Sequence, residues 1–180
     1  MPDGSDSRTV SVFGTGRVRP GERVFALAER LGRELALAGF AVANGGYGGT
    51  MLAAAQGAHD AGGKVIGVTC SAFRNSVANE FVTEEVTTAS LDERLDTLIR
   101  LGQAYVVLPG GTGTLLELAK VWELKNKTFF DRTRPIVLLG DFWRPLVDLV
   151  CRDDPRSAEH VVFAEEPADA VGRIMEVPGK

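Results

Sequence analysis

Apolar residues along this chain keep two rhythms. Short runs rich in β-branched residues, Val10–Phe13, Phe40–Ala43, Lys64–Thr69, Tyr105–Leu108, Pro135–Leu139 and Val161–Phe163, are bounded mostly by glycine or proline. Runs of that length and composition predict buried strands. Between them the apolar positions fall at helical spacing. From Glu22 to Ala38, Val24, Leu27, Ala28, Leu31, Leu35 and Ala38 recur every three or four residues, and Gly39 supplies a C-terminal cap. A helix of small residues is predicted over Thr50–Ala61, closed by Gly62-Gly63. Ser90-x-x-Glu93 is a capping box that opens a helix to Arg100, with Leu91, Leu95, Leu98 and Ile99 expected to face the core. Further helices are predicted from about Thr114 to Lys125, over Phe142–Cys151 and over Pro167–Met175. Cys70–Thr88 is the least regular segment, a loop with one extended piece around Glu80–Val86, and Asn126–Arg134 reads as a second loop.

Strands alternating with amphipathic helices imply parallel strands joined by right-handed crossovers. The expected fold is therefore α/β: a doubly wound, mostly parallel, Rossmann-like sheet with helices on both faces. Residues 10–176 are expected to form one domain behind a disordered tail, residues 1–9. In such sheets ligands bind at the carboxyl ends of the strands. Glycine clusters at 14–16, 44–49 and 110–113 each follow a predicted strand, so all three are expected along one edge, lining one cleft.

Composition narrows the function classes. A net charge of −4 over 180 residues, with no basic block, argues against a nucleic-acid surface. Cys70 and Cys151 lie far apart without a Cys-x-x-Cys or Cys/His cluster, so neither a structural disulfide nor a metal site is expected. The polar, acidic start of the chain has no signal-like apolar region, and no run approaches the ~20 apolar residues of a membrane span. The expectation is a cytoplasmic protein without membrane or nucleic-acid partners.

The most chemically loaded stretch is Tyr105–Glu117. A strand halts at Pro109, passes through Gly110, Gly111, Thr112 and Gly113, and enters a helix near Thr114. Helix N-terminal amides lack intrahelical partners and sit at the positive end of the helix dipole, so they attract anions. Glycines let a phosphate approach the backbone, and Thr112 and Thr114 add hydroxyl donors. Glu117 is the odd member, because a carboxylate repels a phosphate unless it serves another part of the ligand. Gly14-Thr15-Gly16 lacks the third glycine of a dinucleotide fingerprint, since Arg19 stands at that place, and no P-loop run exists. Gly14 and Thr15 are nevertheless candidates for contact with a phosphate-bearing ligand.

Pro109-Gly110-Gly111-Thr112-Gly113-Thr114-Leu115-Leu116-Glu117 resembles the signature Pro-Gly-Gly-x-Gly-Thr-x-x-Glu of the Lonely Guy family. Its members are cytokinin riboside 5′-monophosphate phosphoribohydrolases, often labelled lysine decarboxylases. A second element, Gly-Gly-x-x-Gly-x-Met, is similar to residues 45–51, and an arginine fifteen residues before the motif proline matches Arg94. The resemblance runs from about Val10 to Val150. It implies a nucleotide-binding Rossmann-like fold, a homodimer or larger homo-oligomer, no cofactor, catalytic roles for Glu117 and Arg94, and substrate contacts from Gly45 and Gly46. Two companion charges of the family pattern are replaced here by Leu95 and Leu116, a loop follows the motif helix at Thr128–Arg134, and residues 70–88 do not follow the family sequence.

The implied reaction fits the residues. Hydrolysis of the N-glycosidic bond of a nucleoside 5′-monophosphate passes through an oxocarbenium-like ribosyl cation. The amides of 110–114 would hold the phosphate and Glu117 would face the ribose. For Arg94 three roles stay open: pairing with Glu117, touching the phosphate, or assisting the departing base. Glu117 also gains ~0.3–1 kcal/mol from the helix dipole alone, and Arg94, on a helix with Asp92, Glu93 and Asp96, is by default an ion-pair residue. His59 and His160 read as surface or packing residues. Trp122 and Trp143 read as packing residues and Met51 as core, while Phe129 and Phe130 are packing residues or a stacking surface for a base. The alternative is a non-catalytic carrier of a phosphorylated pterin such as molybdenum cofactor. A lysine decarboxylase is set aside, because none of the five lysines stands in a pyridoxal phosphate context.

Overall fold

The computed structural model describes residues 8–74, 76–130 and 133–177. Its strands are β1 (Thr9–Phe13), β2 (Ala41–Asn44), β3 (Val65–Cys70), β4 (Glu84–Thr88), β5 (Ala104–Val107), β6 (Ile136–Leu139) and β7 (Val161–Ala164). They form one sheet in the order β4-β3-β2-β1-β5-β6-β7. Every neighbouring pair is parallel, so the sheet is wholly rather than mostly parallel. Helices α1 (Arg23–Leu37), α2 (Thr50–Asp60), α3 (Leu91–Leu101), α4 (Thr112–Asn126), α5 (Arg144–Val150) and α6 (Pro167–Met175) cover it. Residues 1–7 of the expected tail lie outside the described residues, and Thr9 already belongs to β1.

Burial on both faces explains why the strands read as continuous apolar runs: β2, β3, β5 and β6 are buried throughout. Successive side chains alternate between faces. Val10, Val12 and Val106 enter one core with Leu31, Ala54 and Ile174, from α1, α2 and α6. Phe13, Tyr105 and Val107 enter the other with Leu98, Leu118 and Trp143, on the side of α3 and α4. The edge strand β4 carries exposed Glu84 and Glu85, charges that discourage edge-to-edge pairing.

The small-residue composition of α2 has a steric cause. A β-carbon on Gly57 would lie 1.9 Å from the Glu29 carbonyl oxygen of α1, and one on Gly32 would lie 2.0 Å from that of Ala54. The two helices therefore touch backbone to backbone.

Several boundaries differ from expectation. α4 begins at Thr112, two residues before the predicted start, because Gly111 accepts the first helical bond, from the Leu115 amide at 2.9 Å. Leu91 is not a core residue: it stands at the first position of α3 and is 47% exposed. Pro155–His160 forms a 3-10 helix that periodicity did not reveal, capped by the Asp154 side chain. Of the loop expected at Asn126–Arg134, Asn126 closes α4 and residues 131 and 132 lie outside the described residues.

From β1 the chain winds through β2, β3 and β4 to one side; from β5 it winds through β6 and β7 to the other. The junction of β1 and β5 is thus the topological switch point, where the crossovers diverge and leave a crevice.

Candidate active site

The loops after β1 and β5 meet at that crevice and are bonded to each other. The Leu108 amide donates to the Phe13 carbonyl (2.8 Å) and the Thr15 amide to the Pro109 carbonyl (3.1 Å). Trp143 fixes the same segment by donating its indole N–H to the Leu108 carbonyl (3.0 Å), so it packs as expected while also positioning the loop. Gly110 is required by contact, since a β-carbon there would lie 2.1 Å from Thr114 Oγ1. Beyond it α4 starts. Among the described residues, the amides of Gly111, Thr112, Gly113 and Thr114 have no acceptor. A β-carbon on Gly111 or Gly113 would meet nothing within 4 Å, so the chain presents open backbone at the positive end of a fifteen-residue helix.

These amides border a cavity of about 890 Å³. Of the residues singled out in the sequence, Gly14, Thr15, Gly110, Gly111, Thr112, Gly113, Thr114, Arg94 and Glu117 all line it. Gly45 and Gly46 do not. The Gly45 carbonyl is turned inward to accept from Arg94 Nη2 (3.1 Å), and a β-carbon there would lie 1.8 Å from that nitrogen. Gly46 has φ +75°, packs against Gly67 of β3 and donates its amide to Asn44 Oδ1 (2.8 Å). In the described structure these two glycines make room for a protein side chain and a tight turn.

Arg94 is buried and held by the sheet. Its Nε donates to the Val68 carbonyl at 2.7 Å, and its guanidinium lies 5.3 Å from the Tyr47 ring centre and 5.6 Å from that of Phe73. The default picture of a solvated ion-pair residue does not apply. Glu117 stands one turn inside α4, partly buried, with no hydrogen bond or ion pair to the described residues. Burial raises its pKa from 4.5 to about 7, and the positive charge of Arg94 opposes that rise. Arg94 therefore acts on Glu117 through space and not through a salt bridge. A carboxyl group with a pKa near neutrality and no partner among the described residues, beside open helix N-terminal amides, is a candidate for acid–base chemistry.

Other cavity residues were not among the candidates for ligand contact. Arg17, Tyr47, Met51, Phe73 and Phe142 line it, and Met51 borders the site where a core position was expected. Asn79 is the structural key to part of this wall. Its Nδ2 donates to the Gly46 and Tyr47 carbonyls (3.1 and 2.9 Å), which fixes the loop after β2 against the irregular segment after β3. Phe129 and Phe130 are elsewhere: Phe129 is 75% exposed and Phe130 stacks on Tyr105, whose hydroxyl donates to the Ile99 carbonyl (2.7 Å). His59 is exposed beside Asp60 at 3.4 Å, and no cluster of metal-ligating side chains occurs among the described residues.

Comparison with known proteins adds to this geometry. A family model described as "Possible lysine decarboxylase" matches residues 51–173. The cytokinin riboside 5′-monophosphate phosphoribohydrolase of Rhodococcoides fascians is 31% identical over 148 residues, covering 79% of this chain and 74% of that protein. The chain belongs to the Lonely Guy family. The rice (Oryza sativa subsp. japonica) cytokinin riboside 5′-monophosphate phosphoribohydrolase LOG is 38% identical over 125 residues, or 68% of this chain and 52% of that protein. The fold is shared more widely: the molybdenum cofactor carrier protein of Chlamydomonas reinhardtii superposes with a TM-score of 0.76 at 26% identity, over 95% of this chain and 98% of that one. Within the Lonely Guy frame, the two substituted companion positions have different fates. Leu95 is buried in the core and Leu116 is 42% exposed, and both border a side cavity between α3 and α4. Neither replaces Glu117 or Arg94 at the main cavity.

Proposed function

We propose that the chain is a phosphoribohydrolase, cleaving a purine nucleoside 5′-monophosphate, such as an N6-modified adenine nucleotide, to free base and ribose 5-phosphate. The observation that carries this reading is Glu117: a carboxyl group with pKa about 7, one turn behind four unpaired helix amides and without a partner of its own. The amides of 111–114 bind the phosphate. Glu117, as carboxylate, faces the ribose, stabilises the cation at its anomeric carbon and orients the attacking water. Arg94 keeps that carboxylate charged. The names of the Rhodococcoides and rice relatives support the same chemistry.

The test is incubation with nucleoside mono-, di- and triphosphates, with free base followed by chromatography. Base is expected from monophosphates, and Glu117→Ala should lower the rate by about 10²–10⁴-fold. No base from any nucleotide, or an undiminished Glu117→Ala rate, would sink the catalytic reading.

A second reading, a carrier of a phosphorylated pterin, is favoured by the likeness to the Chlamydomonas carrier over nearly the whole chain. Native mass spectrometry showing a co-purifying pterin without turnover would support it. No described helix is long and apolar enough to cross a membrane. We place the protein in the cytoplasm as a homodimer or larger homo-oligomer, with α3 and α4 as its contact surface, where Leu91 and Leu116 are exposed.

A further inference from the structure

We propose that Phe73 and Tyr47 form an aromatic wall on which the planar heterocycle of the ligand stacks, and that this wall sets the preference for a two-ring base. Its placement for a base, rather than some other planar ring, rests on the nucleotide reading above. Three observations carry it. The first is direction. The vacant amides lie after β5, at the middle of the sheet, whereas Arg94 is tied to Val68 of β3 and to Gly45 after β2. Glu117 borders the same two cavities as Arg94, so the pair faces the β2–β3 side of the phosphate cradle. A ligand whose phosphate sits on the amides and whose sugar meets Glu117 therefore extends towards β3, and the aromatic residues of the cavity on that side are Tyr47 and Phe73.

The second observation is that the wall is fixed before any ligand arrives. The Cys70 amide donates to the Tyr47 hydroxyl at 2.8 Å, and Asn79 holds the Tyr47 carbonyl. With its hydroxyl committed to the backbone, Tyr47 offers the cavity its ring rather than its polar end. Phe73 leans on it, ring centres 6.2 Å apart at 44°, and keeps 36% of its surface exposed.

The third is charge. The Arg94 guanidinium lies against both rings, so the wall joins apolar area to a cation beside the leaving base. An aromatic face is tolerant of base identity, but a purine covers more of it than a pyrimidine does.

Calorimetry on the slow Glu117→Gln protein tests the proposal with two probes, adenosine 5′-monophosphate and ribose 5-phosphate. Adding Phe73→Ala should weaken nucleotide binding about tenfold and leave ribose 5-phosphate binding unchanged. Phe73→Tyr should restore it, and Phe129→Ala should change neither. Uridine 5′-monophosphate should lose less than adenosine 5′-monophosphate. Equal losses for nucleotide and ribose 5-phosphate, or no loss for either, would overturn the wall. If the protein binds a phosphorylated pterin but no nucleotide, the nucleotide reading fails and the wall is judged by the same substitution with pterin phosphate against inorganic phosphate. Binding of no planar ligand at all overturns the wall itself.

Discussion

At the scale of single residues, the proposed chemistry turns on one carboxyl group. Burial lifts the Glu117 pKa from 4.5 to about 7, and Arg94 restrains the rise. If the working form is the carboxylate, kcat/KM must increase with pH and level off above about 7, because this profile reports groups of the free enzyme. The second ionisation of the substrate phosphate, near 6, falls in a similar range. Arg94→Gln separates the two: losing the positive charge moves the Glu117 limb to higher pH and leaves the substrate's ionisation where it was. A profile that instead falls through 7 would make Glu117 a proton donor to the departing base. The residues of this pair were legible for different reasons. Glu117 stood out because it closes a motif with the eight residues before it, a wholly local pattern. Arg94 was visible only through its spacing from Pro109, and nothing local distinguished it from the charged Asp92, Glu93 and Asp96 around it. Gly45 and Gly46 lie outside the cavity lining, because a glycine marks any close approach, by a ligand or by the protein's own Arg94 side chain.

At the scale of elements, α1 and α2 pack with their backbones in contact, and this determines what α2 tolerates. Alanine is the better helix former by ~1 kcal/mol, so Gly57→Ala would stabilise an exposed helix. Here the added carbon would lie 1.9 Å from the Glu29 carbonyl oxygen. The overpacking cost of about 1–3 kcal/mol wins, and chemical denaturation should show a net loss of stability. An unchanged or raised midpoint would mean that the helices separate easily. The same contact explains what periodicity could and could not show. α1 has a clear apolar stripe and was readable to within a residue of each end. α4 is apolar on more than one side, with Leu118 and Trp122 inside and Leu116 outside, so its sequence did not reveal which face met the sheet. Tyr47 and Phe73 escaped notice because they sit in loops whose shape depends on Asn79, a contact across more than thirty residues.

At the scale of the whole molecule, alternation of strands and helices was enough to anticipate a doubly wound sheet, since burial on both faces leaves few other arrangements. Strand order was not readable, because local pattern says nothing about which strand neighbours which. That order is what places the loops after β1 and β5 side by side, and it leaves two helix N-termini, of α2 and α4, close to the same crevice. They are not equivalent. The Thr15 carbonyl accepts both the amide and the hydroxyl of Thr50, at 2.8 and 3.0 Å, so the protein itself places an acceptor at the start of α2. In α4, by contrast, none of the amides of residues 111–114 has an acceptor among the described residues. If the phosphoryl group sits on α4 as proposed, the Thr15 carbonyl at the start of α2 presents a negative end to a second one, so nucleoside monophosphates are expected to be cleaved faster than di- and triphosphates, and equal rates across the three would count against this reading of the loop.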